Sequence, residues 1–287
     1  MRIEDMNSYY NFLYFGDCYL HADLVDLFNR HGLTRLNDFM SYPLGDPVTV
    51  KRGRSVVKVN LEGRTFYLKR NWLQFHEFAK GLTRLKLNQY GAYREWQSIF
   101  SINRIGIATV PVVAFGEKQF LGIEHKSFIV TEKLYGYESV ENIAKERWTP
   151  PLTEAAIQEK LLIIEDAARI VRKLHEAGLN HQDLYLGHLF YHPENPMSII
   201  DVQRVEKRDE LPLRYRIKDL AQLYYSAQVT GNISRADCLR FFLTYLNKDE
   251  PDKRDRKLIT AIIKKAGIIE KHTVKLLNRR RKRGEIK

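Results

Sequence analysis

The sequence predicts an α+β protein with two lobes, a small strand-rich N-terminal lobe that contains one key helix and a larger, mainly helical C-terminal lobe. Residues 48–70, VTVKRGRSVVKVNLEGRTFYLKR, form three β-rich runs separated by the glycine turns RGRS and LEGR, which predicts a meander of short strands. Two further apolar runs, VPVVAFG and SFIVTEKL, are also predicted as strands. From Thr153 onward the pattern is helical.

The segment before the strands is predicted as mixed helix, HADLVDLFNRHG and then RLNDFMSY, ending at Pro43. Between the strands, LNQYGAYREWQSIFSINRIG has helical periodicity, and its large side chains share one side: Tyr93, Trp96, Ile99, Phe100 and Ile102. Glycine and charge around Leu134 to Glu138 mark a hinge. The predicted division is therefore a helical extension at 1–45, an N-lobe at 46–134, a C-lobe at 135–270 and a basic tail at 271–287.

The C-lobe opens with TEAAIQEKLLIIEDAARIVRKLHEAG, a helix that Thr153 caps and that stops at Gly178. The stretch NHQDLYLGHLFYH, residues 180–192, follows at once. Residues 197–204, MSIIDVQR, then predict a short strand that runs into a loop. The remainder is helical, including DLAQLYYSAQ and CLRFFLTYLN, and this order of lobes is the layout of a kinase.

Positive charge is concentrated at the C-terminus. The chain has 47 basic and 35 acidic residues, a net charge of +12, and the segment from Lys271 to Lys287 holds eight basic residues and one acid, or +7. Such a run indicates an anionic partner, which is a membrane surface, a nucleic acid or an acidic protein. The alternative is a solvated C-terminus without a partner. Because no base-reading motif or interleaved aromatic residue accompanies the run, nucleic acid is the least favoured of these partners.

The two cysteines, Cys18 and Cys238, form neither a CxxC pair nor a zinc spacing, which favours a reducing cytoplasmic compartment. The N-terminus MRIEDMNSYY is acidic and lacks the apolar region of a signal peptide. No apolar run approaches the roughly 18 residues of a membrane helix.

Phosphoryl transfer from ATP needs a cation at the phosphates, magnesium ligands, a base near the acceptor hydroxyl and backbone amides over the phosphates. Lys69 ends the third strand of the meander and is the candidate cation; the alternative is a surface lysine on an edge strand. Glu95, on the next helix, would pair with Lys69; the alternative is a solvated glutamate. In the RGRS turn, Gly53, Arg54 and Ser55 offer amides and one positive charge to a phosphate, although one glycine alone indicates only a tight turn.

Two carboxylates provide the strongest signal in the sequence. Asp183, in HQD, would act as the base or would orient the acceptor hydroxyl, and Asp201, in IIDVQ, would hold Mg²⁺. They are separated by 201 − 183 = 18 residues, which contain a strand, a turn and a second strand. Such a hairpin would bring both carboxylates to one edge.

Three histidines accompany these carboxylates. His188 and His192 have the i, i+4 spacing of a zinc site, but the intervening LFY and the following Pro193 favour a strand, which would separate them. His188 is instead predicted at the metal–phosphate edge, where it donates to a phosphate oxygen or ligates Mg²⁺ through water; bracing of Asp183 is the alternative. His181 is predicted to point inward and to bond the backbone around Asp201.

The chain resembles the lipopolysaccharide core kinases, a branch of the protein-kinase-like fold that includes inner-core heptose kinases and Kdo kinases. The resemblance spans about residues 50 to 226 and rests on YLKR, YREW, FIVTEKL, HEAGLNHQDLYLGHLFYH, IIDVQR and RIKDLAQLYYS. The heptose(I) kinases fit better than the Kdo kinases, on the REW and KDL–LY stretches. The resemblance implies ATP and Mg²⁺ as cofactors, with Glu132 and Leu134 at the nucleotide. It also implies an inner-core sugar as acceptor, at the cytoplasmic face of the inner membrane of a Gram-negative-type cell.

Departures from ordinary protein kinases argue against a protein substrate. Gln182 replaces the arginine of HRD, DVQ replaces DFG, and His188 stands where a second metal-binding asparagine is usual. Asp219, only 18 residues after Asp201, would brace the catalytic loop or, alternatively, cap a helix.

Two other functions remain open. A phosphotransferase of the aminoglycoside or choline type would need an acidic site, whereas a basic stretch surrounds this candidate site. The basic residues are Arg204, Lys207, Arg208, Arg214, Arg216 and Lys218. The alternative is that they merely balance the nearby acidic residues Glu206, Asp209 and Glu210. An inactive pseudokinase that serves as a basic binding module would have lost Lys69, Asp183 or Asp201, and none is lost.

Overall fold

The computed structural model describes residues 11–51, 53–72, 92–120 and 123–284. The chain forms two compact units. The first comprises Met1–Ser101 and Val110–Tyr135, and the second comprises Ile102–Thr109 and Gly136–Lys287.

Within its described residues, the first unit contains a seven-stranded antiparallel sheet. Its strand order is β1 (Phe12–Tyr14), β2 (Cys18–His21), β7 (Val112–Phe120), β8 (Ile123–Glu132), β5 (Arg64–Trp72), β4 (Arg54–Leu61) and β3 (Asp46–Lys51). The predicted meander is confirmed as β3 (Asp46–Lys51), β4 (Arg54–Leu61) and β5 (Arg64–Trp72). The turn between β4 and β5 uses Glu62 and Gly63 at positive φ. The two later apolar runs are β7 (Val112–Phe120) and β8 (Ile123–Glu132), which pair with each other, and β8 also pairs with β5.

The N-terminal segment is not a separate helical extension. β1 (Phe12–Tyr14) and β2 (Cys18–His21) form a hairpin, and β2 pairs with β7. A 3₁₀ turn (Ala22–Leu24), α1 (Val25–Arg30) and α2 (Leu36–Ser41) follow. Their apolar side chains join the same hydrophobic core as the sheet. The two predicted helices, HADLVDLFNRHG and RLNDFMSY, are thus confirmed as α1 and α2. The hairpin was missed because its strands are only three and four residues long, too short for an alternating pattern to be recognised.

The helix α3 (Ala92–Arg104) confirms the described part of the predicted periodic segment. Trp96, Ile99, Phe100 and Ile102 are all buried, as their spacing indicates. Trp96 stacks on Phe115 of β7, with ring centroids 4.7 Å apart. The first part of the predicted helix and the side chain of Tyr93 lie outside the described residues.

The second unit is mainly helical, as predicted. Its helices are α4 (Val140–Arg147), α5 (Glu154–Glu176), α6 (Leu213–Thr230), α7 (Arg235–Leu246) and α8 (Lys253–Lys282). The Thr153 side chain accepts a hydrogen bond from Ala156 N at 3.2 Å, which confirms the predicted cap. The described part of this unit also contains two small sheets. The first has four strands in the order β6 (Ala108–Thr109), β12 (Ser198–Ile199), β11 (Leu189–Tyr191) and β9 (Glu138–Ser139). The second pairs β10 (Leu179–Asn180) with β13 (Glu206–Lys207).

The basic C-terminal segment is the end of a long helix. α8 begins with the Asp252 cap and continues through the predicted boundary at residue 271 to Lys282. Ile262 and Ala266 are buried, whereas residues 274–284 are all exposed. Across the part of the chain that is described, no helix is both long and apolar enough to cross a membrane.

Candidate active site

In the first unit, Lys69 and Glu95 form a shielded ion pair. Lys69 Nζ lies 2.6 Å from Glu95 Oε1, and the two side chains are 17% and 6% exposed. Lys69 faces Val56 of β4 on one side and Ile129 of β8 on the other, so β5 is an interior strand. The two alternatives, a surface position for Lys69 on an edge strand and a solvated Glu95, are therefore wrong. Lys69 and Glu95 form the predicted ion pair.

The other residues expected at the nucleotide have different surroundings. Gly53 has a φ of +79°, in the turn between β3 and β4, and its carbonyl accepts a hydrogen bond from Trp72 N at 2.8 Å. Arg54 and Ser55 follow in β4, where Ser55 Oγ is buried and has no hydrogen-bond partner within the described residues.

The carboxylate of Glu132 binds the Arg64 guanidinium at 2.8 and 2.9 Å. Leu134 is half-buried just after β8. Their contact with a nucleotide stays a prediction.

In the second unit, Asp219 holds the loop that carries Asp183. The backbone N–H groups of His181 and Gln182 donate to Oδ2 and Oδ1 of Asp219, at 2.7 and 2.9 Å. Asp219 is fully buried and is the seventh residue of α6, so it is not the cap of that helix. The predicted bracing role is confirmed.

A buried network extends this support beyond what the sequence indicated. His175, at the end of α5, lies 3.3 Å through Nε2 from Asp219 Oδ2, and 3.0 Å through Nδ1 from the hydroxyl of Tyr245. Burial raises the pKa of Tyr245 to about 12, so its hydroxyl keeps its proton at neutral pH. Residues of α5, α6 and α7 thus form one hydrogen-bonded network, which contacts the Asp183 loop through the carboxylate of Asp219.

Replacing Asp219 with alanine is expected to destabilise the protein strongly. The buried backbone N–H of His181 and the partly buried one of Gln182 would lose their acceptor, which costs about 2 to 4 kcal/mol of unfolding free energy in total. Urea denaturation of Asp219→Ala measures this loss. Asp166→Ala, which removes an exposed carboxylate from α5, is the control and should change stability by less than about 0.5 kcal/mol. Equal midpoints and slopes for the two variants would contradict the bracing role.

The predicted hairpin after Asp183 is present, and His188 links the two carboxylate residues. β11 and β12 pair antiparallel, and Asp201 follows them at a φ of +56°. His188 Nδ1 donates to the backbone carbonyl of Asp183 at 2.7 Å, and its Nε2 lies 3.8 Å from Asp201 Oδ2. This contact favours the bracing alternative for His188; donation to a phosphate and ligation through water stay predictions.

His181 has the inward position that the sequence predicted. It is fully buried, and its Nε2 donates to the carbonyl of Ile200, the residue before Asp201, at 3.0 Å. Burial lowers the pKa of this imidazole, so it is neutral in the folded protein. His181 therefore fixes the backbone at Asp201 without adding charge.

Asp183 has a partner that the sequence did not reveal. Arg204, in the 3₁₀ turn after Asp201, places Nη1 at 2.7 Å from Oδ2 and 3.0 Å from Oδ1 of Asp183. The side chain of Gln182 donates to the carbonyl of Arg204 at 2.7 Å, which ties the same turn to the loop. The sequence placed Arg204 only in a basic stretch near the site.

The zinc arrangement does not form around His188 and His192. The His192 ring accepts a hydrogen bond from Glu194 N at 3.0 Å and packs on Tyr137. Within the described ranges, no group of three or more His, Cys, Asp or Glu side chains is arranged to hold a metal ion. Asp201 does fit Mg²⁺, because this ion takes one or two protein carboxylates and otherwise binds water and phosphate oxygens. The nitrogen of His188 fits that hard cation poorly.

Comparisons with known proteins point to one family. Residues 41–245 match the lipopolysaccharide kinase (Kdo/WaaP) family. The chain is 34% identical to the lipopolysaccharide core heptose(I) kinase WaaP of Pseudomonas aeruginosa over 82% of its own length and 87% of that protein. It is 32% identical to the enzyme of the same name from Escherichia coli, over 77% and 86% of the two chains. A solved structure of WaaP in complex with acyl carrier protein is similar with a TM-score of 0.65 and 30% identity, over 84% of this chain and 95% of that one.

Proposed function

Because the chain belongs to the lipopolysaccharide kinase (Kdo/WaaP) family, we propose that it transfers a phosphoryl group from ATP to a hydroxyl of heptose I in the lipopolysaccharide inner core. The observation that carries the proposal is the assembly of Asp183, His188 and Asp201 at the end of one hairpin. Family relatives named as heptose(I) kinases support the choice of sugar. A Kdo residue is the nearest alternative acceptor.

Each of the charged groups described in the two units has a task in the proposed reaction. Asp183 accepts the proton of the acceptor hydroxyl, and His188 fixes the backbone of Asp183 through its carbonyl. Lys69, oriented by Glu95, binds the phosphates of ATP. Asp201 would hold Mg²⁺, which supplies positive charge to the transferred phosphoryl group. The buried Asp219 fixes the backbone of the loop that carries Asp183.

The basic residues after Asp201 favour an anionic acceptor over a cationic one. Arg208 donates to Asn180 Oδ1 at 2.6 Å, next to the loop, and its guanidinium carbon lies 3.9 Å from the ring centroid of Tyr215. Arg214 lies 4.8 Å from the same ring. Glu206 neutralises part of this charge by pairing with Arg208. The surplus suits the phosphates and carboxylates of a core glycolipid better than an aminoglycoside or choline.

A phosphoryl-transfer assay with several acceptors tests the proposal. The purified protein should transfer phosphate from ATP to purified core glycolipid, with Mg²⁺ required and EDTA inhibitory. Kanamycin, choline, tRNA and duplex DNA should give no product above the rate of ATP hydrolysis alone. A product only with kanamycin or choline would favour the small-molecule alternative. ATP binding without any product would favour the pseudokinase.

We propose that the protein lies at the cytoplasmic face of the inner membrane, and the exposed end of α8 supports this proposal because it suits an anionic surface. Apolar side chains alternate there with basic ones: Ile268, Val274, Leu276 and Leu277 are exposed, among Lys271, Lys275 and the run from Arg279 to Arg283. A basic helix of this kind lies on anionic headgroups. An acidic protein is the second candidate partner, because WaaP has been solved in complex with acyl carrier protein.

Truncation after Asn278 is expected to weaken binding to anionic vesicles. Each basic residue near such a surface contributes on the order of 1 kcal/mol, and the truncation removes six basic residues and one acidic residue. Because salt screens these charges, the loss should be largest at low salt. Vesicle co-sedimentation measures it. Replacing Lys253 and Arg254 by alanine, at the other end of the same helix, is the matched control. Unchanged vesicle binding after truncation would mean that the segment is a solvated C-terminus without a partner.

A further inference from the structure

Arg204 is hydrogen-bonded to the Asp183 carboxylate, which is the group that must accept the proton of the acceptor hydroxyl. Its Nη1 lies within 3.0 Å of both Asp183 oxygens. A general base must have an oxygen within hydrogen-bond reach of the proton that it removes. The guanidinium therefore competes with the acceptor hydroxyl for the oxygens of Asp183. Release of this contact frees the lone pairs that face Arg204 for the acceptor hydroxyl.

The geometry of the contact suits exchange. One nitrogen approaches both oxygens, rather than the two parallel N–H bonds of the strongest arginine–carboxylate pairs. The Arg204 and Asp183 side chains are 46% and 24% exposed, so water competes with the pair, in contrast to the shielded Lys69–Glu95 pair. The backbone of Arg204 is held independently, by Gln182 Nε2 on its carbonyl. The link between this turn and the loop therefore does not depend on the Arg204–Asp183 contact alone.

We propose that Arg204 is a specificity-determining residue that pairs with Asp183 in the free enzyme and moves to an anionic group of the acceptor when the acceptor binds. The group is a carboxylate or phosphate close to the hydroxyl that is phosphorylated, because a guanidinium binds both with the same geometry. A neutral acceptor offers no anion in exchange, so Asp183 stays paired. This inference rests on the proposed function, and it adds a reason why small neutral alcohols and water would react poorly.

The test compares a charged and a neutral acceptor in the full-length protein. Arg204→Ala should raise KM for the core glycolipid about 10- to 100-fold, as expected for the loss of a charge-assisted hydrogen bond, while KM for ATP stays within about 2-fold. The same variant should increase kcat/KM for free heptose, and acceptor-free ATP hydrolysis should rise, because Asp183 is released. Opposite changes for the two acceptors are a result that a merely structural residue cannot produce.

Two further variants keep the test interpretable. Arg204→Gln retains a side-chain amide without the charge, and should give the same opposite changes if Arg204→Ala does not fold. Arg169→Ala removes an arginine of similar exposure from its ion pairs on α5, and is the matched control for general effects on stability and charge. Its kinetic constants should equal those of the wild type.

Modified acceptors identify the anion. If the effect of Arg204→Ala on KM disappears with carboxyl-reduced glycolipid, the partner is a carboxylate; if it disappears with dephosphorylated glycolipid, the partner is a phosphate. An effect that persists with both acceptors overturns the inference. So does a parallel fall in activity toward the charged and the neutral acceptor, which would show that Arg204 only positions Asp183. A wild-type protein that phosphorylates no core glycolipid would refute the proposed function itself, and the inference with it.

Discussion

Asp183→Asn is expected to lower kcat for phosphoryl transfer by about 10²- to 10⁴-fold, the usual effect of losing a general base. Asparagine keeps the size of the side chain and one oxygen for Arg204, but it cannot accept the hydroxyl proton. Because the Asp183–Arg204 pair is partly exposed, the change in unfolding free energy should stay within about 1 kcal/mol. Steady-state kinetics with the core glycolipid and urea denaturation measure the two effects separately.

Asp166→Asn is the matched control for Asp183→Asn. Asp166 also pairs with an arginine, Arg169, at 2.7 Å, but on the surface of α5. Its substitution should leave kcat unchanged. A variant Asp183→Asn that retained near-wild-type turnover would exclude Asp183 as the base.

Asp201→Asn should abolish transfer and also weaken the binding of Mg·ATP. The carboxylate is the oxygen ligand that Mg²⁺ requires, and an amide is a much poorer one. Asparagine is the appropriate substitution because Asp201 has a φ of +56°, and asparagine tolerates this left-handed conformation better than alanine does. Isothermal titration calorimetry with ATP, in Mg²⁺ and then in EDTA, measures the effect.

The two aspartate variants should differ in that titration. Asp183→Asn should bind Mg·ATP as the wild type does, whereas Asp201→Asn should bind ATP with the same affinity in Mg²⁺ as in EDTA. Equal loss of Mg·ATP affinity in both variants would mean that the roles assigned to the two carboxylates are not separate.

Much of the site could be predicted because its residues are set by local pattern. The interior strand that holds Lys69 follows from the meander, and Glu95 follows from the periodicity of the next helix. The hairpin between Asp183 and Asp201 is short enough for its turn and strands to be recognised. Asp219 was more difficult, since its position within α6 was misjudged although its role was not.

The contacts that could not be predicted join residues far apart in the sequence or depend on side-chain direction. His175 and Tyr245 meet across 70 positions, and no local pattern signals this pairing. Arg204 contacts Asp183 across 21 positions, after the chain passes through a left-handed conformation at Asp201. The β1–β2 hairpin pairs with β7, which lies far along the chain, and the sequence before the confirmed helices α1 and α2 did not indicate it.

The most direct test of the account is the mass of the lipopolysaccharide core in cells that lack this protein. Mass spectrometry should detect a core without phosphate on heptose I in the deletion strain, full phosphorylation on return of the wild-type gene, and none on return of Asp183→Asn at equal protein abundance. A deletion strain whose heptose I is still fully phosphorylated, or restoration by Asp183→Asn, would contradict the claim that this chain is the heptose kinase and that Asp183 is its base.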